Sequence, residues 1–118
     1  MANVKKFEDL KIWQDARILV GTVYSIMKDN KDFGFRDQIQ RASVSIMNNI
    51  AEGFERNSDV EFKRFLDIAK ASAGEVRSML YLAEDLNYIT NEKAKELRES
   101  ASHLSGAITN LMKYLKRS

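Results

Sequence analysis

At 118 residues the chain is long enough to bury one hydrophobic core and too short for two, so the sequence predicts a single domain spanning residues 1–118. It has no proline and no cysteine, which excludes disulfides, thiolate metal sites and cysteine nucleophiles, and its abundance of Ala, Leu, Ile, Glu, Lys and Arg is the profile of an all-α protein. Nineteen basic residues against seventeen acidic leave a charge of +2, spread as nine and eight over residues 1–56 and ten and nine over residues 57–118; with no basic arm, any nucleic-acid role needs a local patch.

The opening MANVKKFEDL has no apolar run behind its lysines, so no secretory signal is expected, and no stretch nears the ~18 apolar residues of a membrane span. A cytoplasmic protein is the expectation. Apolar residues then recur at Trp13, Ala16, Val20, Val23, Tyr24 and Met27, the spacing of one face of a first helix. Residues 28–35, KDNKDFGF, are rich in turn formers and end it. A second helix begins near Phe35, places Ile39, Ala42, Ile46, Ile50 and Phe54 on one side, and ends around Arg56.

Asn57 tolerates a left-handed conformation, and Ser58 with Glu61 has the spacing of a capping box. A connection of about two residues therefore folds the second helix back on a third as an antiparallel hairpin. The third helix aligns Phe62, Leu66, Ala69, Ala73, Val76, Leu80 and Ala83 until Asn87 and Thr90 interrupt it. Thr90 caps a fourth helix with Leu97, Ala101, Leu104, Ile108, Leu111 and Leu115 in steps of four and three, a repeat that favours shallow left-handed packing. Lys113, Lys116 and Arg117 stand where cations suit a helix C-terminus. Four helices, each with a stripe to bury and joined by short turns, give an all-α, antiparallel up-down-up-down four-helix bundle.

Four segments in order, FEDLKIWQDA (7–16), RDQIQRASVSI (36–46), NIAEGFER (49–56) and EFKRFLDIAKASAGE (61–75), resemble the four-helix-bundle proteins encoded in intervening sequences of 23S ribosomal RNA genes. The resemblance spans nearly the whole chain. It implies a small bacterial protein that assembles into a ring-like homopentamer, with a supposed connection to RNA and no established activity. The chain is also similar to the accessory bundle protein of diversity-generating retroelements, which implies a basic surface working with nucleic acid.

The second helix turns a polar strip of Arg41, Ser45, Asn48, Asn49 and Glu52 away from its core face, with Asn49 at the edge. Such a strip is either a solvated face in which Asn49 bonds across the bundle and fixes register, or a contact with a neighbouring subunit or RNA. Gly53 permits close approach near the hairpin, since neither a GxGxxG nor a GxxxxGK phosphate loop occurs. No enzyme, cofactor or metal site is expected. The single histidine, His103, cannot supply the two Glu-x-x-His pairs of a bundle di-iron centre, and adjacent carboxylates such as Glu84 and Asp85 diverge on a helix.

A second apolar line on the third helix, Ile68, Met79, Leu82 and Leu86, and a matching excess on the first, Ile12, Leu19 and Ile26, exceed what a monomer needs and predict an oligomer interface. Lys63, Lys70 and Arg77 at seven-residue steps, continued by Tyr81 and Tyr88, are the candidate RNA contact, with a solvated face moderated by Asp59 and Asp67 as the alternative.

Overall fold

The computed structural model describes residues 4–116, leaving Arg117 and the side chain of Lys116 outside the described part. A 3-10 turn, Phe7–Asp9, leads into α1, Lys11–Met27; then follow α2, Phe33–Phe54, α3, Asp59–Asp85, and α4, Asn91–Lys116. Side-chain contacts run in opposite order along α2 and α3, with Gln38 to Glu75 and Ser45 to Ser72, so the hairpin is antiparallel. Each helix packs on its chain neighbours and α1 closes the square on α4, though more loosely; α1 and α3 stand on the diagonal. The result is a rod of 45 × 20 × 20 Å.

Local chemistry sets the ends. Asp32 accepts from the Phe35 N–H at 3.2 Å and starts α2 two residues earlier than its periodicity suggests. Ser58 caps α3 by accepting from the Glu61 N–H at 3.2 Å, but the box is half made, because the Glu61 carboxylate turns to Arg64 at 3.0 Å. Thr90 caps α4 through the Lys93 N–H at 3.1 Å. The α2–α3 connection, residues 55–58, is four residues long rather than two, and Glu55 closes α2 in a right-handed conformation. Among the described non-glycine residues, positive φ belongs to Asn87 (59°) and not to Asn57. There the Tyr88 N–H reaches the Ala83 carbonyl and the Asn87 N–H the Glu84 carbonyl, the paired bonds of a Schellman end.

The core cluster draws on all four helices, and α2 and α3 bury the lines their spacing predicts, α3 adding Phe65 and Met79. In α1 the buried line is instead Ile12, Ala16, Leu19, Val23 and Met27, and Tyr24 is 46% exposed. Both series have helical spacing, so periodicity alone could not choose between them. Wedged against both α2 and α4, α1 turns the Ile12–Leu19 side inward, while Trp13 stays at the rim with its ring edge-on to Phe7 at 5.2 Å.

Candidate functional site

On α2, Ser45 and Asn49 point into the seam with α3. The Ser45 and Ser72 hydroxyls lie 2.8 Å apart, and the Asn49 amide donates to the Ser45 carbonyl at 2.8 Å and to its hydroxyl at 3.0 Å. This half-buried network locks the register of the hairpin. Arg41, Asn48 and Glu52 face solvent, Glu52 meeting Arg56 at 3.5 Å. One turn beyond, Gly53 is buried so closely against α3 that a Cβ there would sit 2.6 Å from the Phe65 Cβ and 3.0 Å from the Phe62 ring. The α2 strip is thus split: its inner half holds two helices together, and its outer half is solvated.

The predicted apolar interface also divides. Ile12, Leu19 and Met79 are buried in the chain's own core, and Ile26 packs half-buried against it, so these four are corrected from surface to interior. The reason is the breadth of the apolar arc on α1 and α3: each faces two neighbours, and residues at the arc's edge pack into the grooves beside them. Ile68, Leu82 and Leu86 remain on the surface, 41%, 45% and 45% exposed. Phe33, 56% exposed at the start of α2, carries the Arg36 guanidinium 4.6 Å above its ring.

The cationic line keeps its three cations and an exposed Tyr81, and loses Tyr88. Lys70 and Arg77 are exposed and Lys63 half-buried on the α4 side of α3, and none makes an ion pair among the described residues. One face of the Tyr81 ring meets the Arg98 guanidinium, 4.1 Å from its centre, and Arg98 is held by Glu84 at 2.5 Å; the residue stays 54% exposed. Tyr88 is not a free stacking platform. Its hydroxyl donates to Asp32 Oδ2 at 2.6 Å and its ring meets Phe35 edge-on at 5.3 Å, fastening the α3–α4 turn to the start of α2. That bond lowers the Asp32 pKa, helped by the Phe35 N–H, and raises that of Tyr88. What the line gains lies on α4: from Arg98 beside Tyr81, antiparallel counting brings residues 102–116 alongside Arg77, Lys70 and Lys63, and no acidic residue occurs after Glu99.

Among the described residues no group of three or more His, Asp or Glu side chains is arranged to hold a metal ion, and no helix is long and apolar enough to cross a membrane. His103 is exposed and lines a cleft of about 630 Å³ between α1 and α4.

A family model described as 23S rRNA-intervening sequence protein matches residues 8–110. Among solved structures the fold is similar to that of a protein of unknown function from the S23 ribosomal protein family of Bacteroides thetaiotaomicron VPI-5482, determined at 1.70 Å, with a TM-score of 0.81 and 24% identity over 86% of this chain and 98% of that one. At that identity the likeness speaks for the fold alone. No curated protein matches the sequence.

Proposed function

The chain belongs to the 23S rRNA-intervening sequence protein family, and from that premise we propose that it is a non-enzymatic, cytoplasmic, self-associating helical bundle that serves as a binding or scaffold module. The observation that carries this reading is the surface line Ile68, Leu82 and Leu86, apolar side chains that the monomer's core does not use. Across the diagonal, α1 offers the run 18–27, which has no charged residue, with Tyr24 half exposed and Gly21 open. Two unlike patches on opposite sides suit head-to-tail contacts, which close into rings, and the family resemblance implies five subunits. Neither the family description nor that of the structural neighbour names a catalytic activity.

The test is mass in solution. Light scattering of the wild type at micromolar concentration is expected to give several times the monomer's 13.6 kDa, and Leu82→Glu with Leu86→Glu is expected to reduce it, since both residues are exposed and the fold tolerates charge there. A monomeric wild type refutes the proposal. Met79→Glu is unsuitable, because Met79 is 8% exposed and a charge there destabilises the monomer itself.

A second reading, RNA binding by the assembled oligomer, is favoured by one observation: the acid-free end of α4 lies along Lys63, Lys70 and Arg77 and adds Lys113 to the same side. Repeated around a ring, this seam concentrates weak phosphate contacts.

A further inference from the structure

The loosest joint of the bundle is the one between α1 and α4, and it opens as a cleft of about 630 Å³. Its floor is apolar, made by Leu19, Leu97 and Leu104, and Ile18 on its wall is 67% exposed. The rim carries three carboxylates, Asp15, Glu96 and Glu99, against the single cation Lys11. Asp15 is paired with Lys11 at 2.5 Å and Glu96 with Lys93 at 3.0 Å, while Glu99 makes no ion pair among the described residues. Exposed pairs of this kind contribute under about 1 kcal/mol, so an incoming cation exchanges with them readily. The volume lies within the range of pockets that hold ligands, and the walls are the two helices α1 and α4. At the helical rise its lining runs about 16 Å along α1, Lys11 to Thr22, and about 12 Å along α4, Glu96 to Leu104, room for about two turns of a third helix between both walls.

We infer that the α1–α4 cleft is a docking groove for a basic amphipathic helix of a partner protein, whose apolar side chains seat against Ile18 and the leucine floor while its lysines or arginines meet Asp15, Glu96 and Glu99. Charge complementarity decides the occupant: the rim repels an acidic segment or a nucleic-acid backbone, and the apolar floor gives a purely polar peptide nothing to bury. The groove is separate from the α3 line and from the cationic seam on the far side of α4; it shares Ile18, Leu19 and Thr22 with the α1 run 18–27, while its rim carboxylates Glu96 and Glu99 lie on α4, outside that run.

The test uses two synthetic peptides of about 12 residues with the same helical leucine spacing, one with lysine and one with glutamate at the polar positions. The lysine peptide is expected to bind the full-length protein and to shift the imidazole proton resonances of His103, which is the only histidine and therefore an unambiguous reporter in the cleft. Glu96→Lys with Glu99→Lys, at two exposed positions, is expected to weaken binding at least about tenfold, with the helical circular dichroism and the light-scattering mass unchanged. Equal binding of the glutamate peptide, unchanged affinity in the double variant, an unmoved His103 signal, or no binding of the lysine peptide at about 100 µM each overturns the inference. A changed mass with intact peptide binding bears on self-association instead, so the two failures are told apart.

Discussion

Gly53→Ala reverses the usual sign of a glycine-to-alanine change in a helix. In a helix interior alanine is favoured by about 1 kcal/mol. At Gly53, however, the added methyl meets the Phe65 Cβ at 2.6 Å, the Phe62 ring at 3.0 Å and the Phe62 carbonyl oxygen at 3.3 Å. Ordinary contacts begin near 3.4 Å, so α2 and α3 must separate by most of an ångström at the hairpin. A Cβ and a backbone carbonyl cannot rotate away as a side-chain end would. Overpacking of this kind costs about 1–3 kcal/mol, and the upper end applies where backbone must move. After the propensity gain the net loss is about 2 kcal/mol, a fall in midpoint of roughly 8 °C for a chain of this length. Urea unfolding followed by circular dichroism measures the loss directly. Gly106→Ala is the control: nothing lies within 4 Å of its added Cβ, so a gain of about 0.5–1 kcal/mol is expected. A Gly53→Ala protein as stable as the wild type refutes the close-approach argument.

Ser58→Ala is expected to cost about 1 kcal/mol through the lost cap on α3, whereas Glu52→Gln leaves the unfolding midpoint nearly unchanged, since Glu52 is exposed and its pairing with Arg56 is long. Tyr88→Phe is expected to lower the midpoint at neutral pH by removing the bond to Asp32. Its effect depends on pH: Asp32 is depressed from 3.8, so its stabilisation is present above that value and is lost as pH falls through the lower folded value, while Tyr88 is raised from 10.0, so its share is present below that value and is lost as pH rises through the higher one. Thermal scans across pH should therefore show wild type and Tyr88→Phe converging at both extremes; a constant gap contradicts the assignment. For the RNA reading, binding to structured RNA by electrophoretic shift at about 50 mM salt is expected to be weak, to fall steeply with added salt, and to vanish in Lys63→Glu, Lys70→Glu, Arg77→Glu; survival of binding in the triple variant rules out this seam.

Local rules made much of the fold legible in the sequence. Ser58 and Thr90 act on amides three residues away, so their caps can be read from a few letters, and the lines through Ile39 or Leu66 emerge because a strong stripe leaves one choice of face. Tertiary structure decided whatever depends on which neighbour a helix edge meets. In α1 two interleaved apolar series have the same period, and only packing against both α2 and α4 chose Ile12 and Leu19 over Trp13 and Tyr24. Met79 went inward for the same reason, leaving Leu82 and Leu86 outside. The bond from Tyr88 to Asp32 joins residues 56 apart in sequence. A one-dimensional pattern fixes the period of a helix, but the rotation of that helix about its axis is set by the surfaces it is pressed against.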